Sequence, residues 1–127
     1  MKRVLLLALL ALSVAPLTQA ASRHDFNVWM RAIDAKTVTV QKHLNAGRTA
    51  EAIADAQALQ KLYADMALYF ERDYPAADAV AISRDGERHA AAIPMRLAAG
   101  DPAAAVQEAR AISLACNDCH DPYKPFP

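Results

Sequence analysis

The chain has 127 residues, and 14 Lys and Arg are balanced by 14 Asp and Glu, so its formal charge is zero. That balance, with no basic stripe, excludes a nucleic-acid binder that works by neutralising phosphates, and the length leaves room for one domain. Hydrophobic residues make up 54% of the chain and glycines number only 3. Alanine is abundant and β-branched runs are few, and no alternating strand pattern, repeat or low-complexity tract is present, so the expectation is an all-α fold.

The N-terminus carries Lys2 and Arg3, then an apolar run over residues 4–14, then Pro16 and Thr18-Gln19-Ala20. A basic start, a short apolar stretch and small residues three and one before a cut are the parts of a secretory signal peptide. The run is well short of the roughly 20 apolar residues that span a bilayer. Residues 1–20 are therefore expected to be cleaved off and residues 21–127 to form the exported domain, with no membrane span after processing. Removal of Lys2 and Arg3 leaves a small excess of acid.

The first helix is expected to begin near Ser22, an N-cap with Asp25 three residues on. Its inner stripe is Phe26, Met30, Ile33, Thr37, Val40 and Leu44, and Asn45-Ala46-Gly47 stops it. A second helix from about Thr49 shows the stripe Ala52, Ala56, Leu59, Tyr63, Met66 and Phe70, and ends at Tyr74-Pro75. Two heptad-like stripes joined by a short turn read as a helical hairpin.

Residues 73–84 read as a longer connection with one extra turn over 76–80. A third helix is expected over residues 85–99, with Ala90, Ile93 and Leu97 inward, Pro94 kinking or splitting it, and Gly100 closing it. The mixed charges of Arg84-Asp85-Gly86-Glu87-Arg88 read as its solvated start. For the fourth helix Asp101 is the N-cap and Pro102 takes the first helical position. Its stripe, Ala105, Ala109, Ile112, Cys116 and Cys119, runs into Cys116-Asn117-Asp118-Cys119-His120. At about 3.6 residues per turn, Cys116, Cys119 and His120 fall within about 100° of one face. The segment 121–127 is too rich in proline to continue a helix.

The string C-x-x-C-H is the attachment signature of a c-type haem. Each thiol can add across a haem vinyl group, and the adjacent imidazole can bind the iron. Covalent haem attachment takes place outside the cytoplasm, so the export signal and the motif agree. Alanine-rich stripes bury little area each, so the haem-free chain is expected to be loosely packed or unfolded.

An alanine-rich four-helix chain with C-x-x-C-H on its last helix resembles the class II cytochromes c, the group of cytochrome c′ and the low-spin cytochromes c-556. Leu97-Ala98-Ala99-Gly100-Asp101 and Cys116-Asn117-Asp118-Cys119-His120-Asp121-Pro122-Tyr123-Lys124 carry the resemblance. Layout agrees over the whole expected mature chain, and motif agreement begins at Leu97. Class I cytochromes c carry the motif near the N-terminus instead. The connection after the second helix and Pro94 are less typical of the family.

The resemblance implies an antiparallel up-down-up-down four-helix bundle with one haem c attached near the C-terminus of the last helix. It implies that Cys116 and Cys119 hold the haem and that His120 is the proximal iron ligand. It also implies that a sixth ligand, where there is one, is a methionine near the start of the first helix, a place that Met30 matches. Family members often form homodimers through their first two helices.

In such a bundle the start of the first helix, the end of the second, the start of the third and the end of the last share one end. Met30 and Met66 then lie near the motif, and Met95 and His43 at the far end. His24 and His89 are at a suitable height but off the inner stripes. A thioether is a soft iron ligand, and Met/His ligation raises the reduction potential. The plain alternative is that Met30 fills the core, as most stripe methionines do. The iron would then be five-coordinate, walled by Met30, Phe26 or Ile33 and open to NO or CO. Tyr63, Met66 and Phe70 are expected to pack on the haem, and Trp29 at its edge or on a dimer face. The Tyr63 hydroxyl and the Trp29 indole are the candidate hydrogen-bond donors to a propionate. Arg23, Arg31 and Lys124 read either as propionate partners or as solvated surface charge.

Rival uses of the motif fit less well. A thiol–disulfide oxidoreductase places C-x-x-C at the opening of a helix after a strand, zinc needs four ligands, and a C-x-x-C disulfide closes too small a loop to stabilise much. With no Ser-His-Asp set and no phosphate loop, an enzyme is not expected. The expectation is a periplasmic one-electron carrier working with periplasmic redox partner proteins. The alternative is a five-coordinate module binding small gas ligands.

Overall fold

The computed structural model describes residues 20–120. The leader expected over residues 1–20, apart from Ala20, lies outside them, as do residues 121–127, Lys124 included. The described residues form four helices and no strand: α1 (Arg23–Asn45), α2 (Thr49–Leu68), α3 (Ala77–Ala98) and α4 (Pro102–His120), with a π-helical turn Tyr69–Asp73 continuing α2. The helices pack against each other, α1 on α2, α2 on α3, α3 on α4, and α4 back on α1.

Local chemistry sets the helix boundaries. Ser22 and Asp25 form a reciprocal capping box: the Asp25 N–H donates to Ser22 Oγ at 3.2 Å, and the Ser22 N–H donates to Asp25 Oδ2 at 2.7 Å. That backbone N–H, ahead of the Ser22 hydroxyl, holds the Asp25 carboxyl below its usual value. Asp101 caps α4, accepting the Ala104 N–H at 2.9 Å, with Pro102 at the first helical position. At the other ends, α1 and α3 both stop through a glycine in the left-handed region, Gly47 at φ 68° and Gly100 at φ 74°. The residue after each glycine reaches back to a freed carbonyl, Arg48 N to His43 O and Asp101 N to Arg96 O, both at 2.9 Å. A side chain with a Cβ would strain this left-handed closure.

Tyr74-Pro75 is the expected end of α2, and the chain does leave its helical path there, but through a wider turn than expected. The Tyr74 N–H reaches the Tyr69 carbonyl, five residues back. The extra residue of a π-turn shifts the register of the chain beyond it, and both Tyr69 and Phe70 are buried in it.

α3 begins at Ala77, so the long connection expected over residues 73–84 is shorter and Arg84-Asp85-Gly86-Glu87-Arg88 lies inside the helix. The reason is a buried stripe at helical spacing that starts with the small residues Ala79, Ser83 and Gly86 and continues as Ala90 and Ile93. Ser83 is tolerated there because its hydroxyl donates to the Ala79 carbonyl at 2.8 Å. Charges flanking this stripe pair on the outside: Arg84 bonds Glu71 and Glu87, and Arg88 bonds Asp85. α3 is not split at Pro94 but runs on to Ala98.

Ile33, Val40, Leu59, Ile93 and Ile112 form the most deeply buried apolar series, spread over all four helices. Ala52, Ala56, Ala67, Ala79, Ala90, Ala105 and Ala109 are fully buried between them, so the helices approach closely at the cost of little area per contact. Among the described residues no helix is long and apolar enough to cross a membrane.

One buried carboxylate pins α1 to α2. Asp55 accepts Lys36 Nζ at 2.7 Å and faces His43 Nδ1 at 2.9 Å. Burial pushes its pKa up, but hydrogen bonds from Lys36, Thr39 and His43 outweigh it, and the net shift is downward. A carboxyl held lower in the folded than in the unfolded chain stabilises above the unfolded value of about 3.9 and stops doing so as pH falls through the folded one. Asp55→Asn should therefore cost about 1–3 kcal/mol at pH 7, with the gap to the parent protein closing below about pH 4. Urea unfolding at both pH values checks this.

Candidate functional site

α4 enters the interior through Ala105, Ala109 and Ile112, each fully buried. One turn later the stripe continues as Cys116, and three residues on as Cys119, both half-buried and not joined in a disulfide. The Cys116 thiol donates to the Ile112 carbonyl at 3.5 Å. Burial raises the Cys116 pKa, with a further rise from the charge of Asp34, against an opposing hydrogen bond from Tyr63. Burial likewise raises Cys119, helped by Cys116 and by Asp78. Both sulfurs are thus held as neutral thiols at neutral pH, and Asp34 of α1, Tyr63 of α2 and Asp78 of α3 stand around them.

Tyr63 is the pivot of this region. It is buried, and burial, ahead of the neighbouring thiols, raises its phenol far above the ordinary value, so the hydroxyl keeps its proton. Its ring lies against the α3 backbone at Gly86. A Cβ added to Gly86 would fall 2.5 Å from Tyr63 Cε1 and 2.6 Å from Cδ1. Met66 and Phe70 come after Tyr63 at helical spacing, and all three belong to one core cluster. Phe70 carries that cluster to the start of α1, where Phe26 stacks on Tyr69 at 5.3 Å and meets Phe70 edge-on at 5.7 Å.

Met30, the expected sixth ligand, is half-buried and packs against the same cluster. Trp29, also half-buried, meets Tyr69 edge-on at 6.3 Å. The backbone of His120 closes α4, and its side chain lies outside the described residues. Met95 is 69% exposed on late α3. His43 is engaged by Asp55, and His89 lies 2.7 Å from Glu108 Oε2. His24 and Arg31 are on the surface. Among the described residues no group of three or more His, Cys, Asp or Glu could hold a metal ion.

Three residues of this region were absent from the expected set: Asp34 and Asp78, which act on the thiols, and Gly86, which lies against the Tyr63 ring. Gly86 had a readable signal, since a glycine inside a helical segment usually marks a close approach. The two aspartates had none, because a single helix does not reveal which neighbouring helix its polar residues face.

The donor chemistry fits a covalently held haem. Two unbridged thiols sit three residues apart on one helix, a histidine follows in sequence, and the adjoining cluster of Tyr63, Met66 and Phe70 is apolar and aromatic. Compared with family models, with curated proteins and with solved structures, the chain gives no match.

Gly86→Ala should force the Tyr63 ring aside. The expected cost is about 1–3 kcal/mol of overpacking, reduced by up to about 1 kcal/mol of alanine's helix preference. Cutting Tyr63 to alanine in the same chain should remove most of the overpacking penalty, and denaturant unfolding of the four-member cycle measures it.

Proposed function

We propose that this chain is an exported monohaem c-type cytochrome that carries single electrons between periplasmic proteins. The observation that carries the reading is the string Cys116-Asn117-Asp118-Cys119-His120, with its two half-buried, unbridged thiols at the end of α4. In this reading each sulfur forms a thioether and His120 binds the iron. Met30 ligates from the other side, as the resemblance to the class II cytochromes c implies. Bound there, the haem supplies a ferric/ferrous couple whose potential the ligands tune. Residues 1–20 are the leader and 21–127 the mature domain.

The finer architecture in this reading is an antiparallel up-down-up-down bundle. Several contacts support it. The Ala21 N–H donates to Asp73 Oδ2, and Phe26 stacks on Tyr69, which joins the start of α1 to the end of α2. His89 meets Glu108, the pairing of antiparallel α3 and α4. The start of α1, the end of α2, the start of α3 and the end of α4 then share one end, with Met30 and Met66 near it. Tyr63, Met66 and Phe70 pack on the haem and exclude water from it. A second chain docked through α1 and α2 is the homodimer the resemblance allows.

The optical spectrum of the matured protein tests the function. A low-spin spectrum in both oxidation states, unchanged by CO, is expected for a filled sixth site and a carrier. A high-spin spectrum that shifts with CO would replace this reading with the gas-binding one. With the sixth site filled by Met30, Met30→Ala should open the ferrous iron to CO, raising affinity at least about tenfold, or about 1.4 kcal/mol. His120→Ala should lose the normal ligation while the thioethers keep the haem attached. Haem-free protein should lack a cooperative thermal melt.

A further inference from the structure

One hydrogen bond fastens the start of α1 to the π-helical turn that ends α2: the Ala21 N–H donates to Asp73 Oδ2 at 3.2 Å, across 52 positions of sequence. Ala21 is also the first residue after the expected cut. While the leader is attached, that nitrogen is a neutral amide. Hydrolysis of the Ala20–Ala21 bond by a leader-removing endopeptidase consumes one water, leaving a carboxylate on Ala20 and an α-ammonium on Ala21. We propose that the new N-terminus of the mature chain forms an ion pair with Asp73, clasping the start of α1 onto the end of α2. This inference rests on the export reading given above.

The surroundings suit a cation at that atom. Ala21 and Asp73 are both partly buried, and Ala21 packs against the core cluster. They line a hollow of about 230 Å³ walled by Trp29, Leu68 and Tyr69. The charged groups lining it are Asp65, Arg72 and Asp73, two carboxylates to one guanidinium. Asp65 is already held by Lys61 at 2.7 Å. On α1 itself the next charged residues are Arg23, His24 and Asp25, and Asp25 is committed to the Ser22 cap. Asp73 is therefore the carboxylate with an oxygen on the Ala21 nitrogen.

The pair also answers a local cost. A positive charge at the start of a helix opposes the helix dipole. A partner carboxylate offsets that opposition, and the bond then joins two opposite full charges where the amide bond had a charge on the acceptor alone. Leader removal thus strengthens a contact already present, at the end of the fold that carries Phe26, Tyr69 and Met30.

The test uses the exported, haem-loaded protein. Its intact mass should correspond to a start at Ala21; a start elsewhere overturns the processing step and the clasp with it. Reductive 13C-methylation then lets NMR follow titration of the terminal amine. Relative to the same protein unfolded in urea, the amine pKa should rise by about one unit, a tenfold preference for the charged form. Asp73→Asn should abolish the rise and Asp65→Asn should leave most of it. No rise in a chain that does begin at Ala21 overturns the clasp while leaving the export reading intact. An equal loss in both variants overturns the specific pair in favour of the general acidity of the hollow.

Discussion

Tyr63 is the residue on which the interior turns, and the constraint it imposes is one of space. Its ring occupies a place that the α3 backbone leaves open only because residue 86 has no side chain. Its hydroxyl is turned to Cys116 on α4, and it shares a core cluster with Ile33 and Phe26 of α1. One side chain of α2 therefore meets both α3 and α4 and belongs to the cluster that α1 joins. A core built largely of alanine has few large side chains to set distances between helices. The few that it has, Tyr63 foremost, fix the spacing for the rest.

Charge is distributed around that interior in two ways. Away from the thiols, carboxylates act as cross-links: Asp55 ties α1 to α2, and Glu108 ties α4 to His89 and Arg96 of α3. Hydrogen bonds from those partners hold both carboxyls below their ordinary values in spite of burial. Near the thiols, Asp34 and Asp78 act through their field and raise the sulfur pKa values. The first kind of carboxylate adds stability to the frame. The second adds to burial in keeping the thiols protonated.

The sequence made the helix ends legible wherever a cap has its own chemistry. Ser22 with Asp25, Asn45-Ala46-Gly47, Asp101-Pro102 and Gly100 all mark boundaries that the structure has. It hid the first turns of α3, because Ala79, Ser83 and Gly86 are too small or too polar to draw a hydrophobic stripe, although packing treats them as one. It hid the π-turn as well, since a single extra residue within Tyr69–Asp73 leaves no mark on composition. At the candidate site, Tyr63, Met66 and Phe70 could be read from helical spacing on α2. The aspartates near Cys116 and Cys119 could not, because their placement depends on how whole helices are rotated against one another.

The protonation state of the two cysteines bears on which chemistry the motif is fitted for. Disulfide formation and exchange run through a thiolate, and cysteines built for that work have lowered pKa values next to cations or at helix N-termini. Here the opposite holds on every count. Cys116 and Cys119 lie at the end of a helix, where the dipole disfavours an anion. They are half-buried, and among the described residues the charged side chains that act on them are the carboxylates Asp34 and Asp78. Each of these raises the cost of the thiolate and slows closure of the pair on itself. The result is two neutral, unbridged thiols three residues apart on one helix, the state from which the proposed thioether attachment would start.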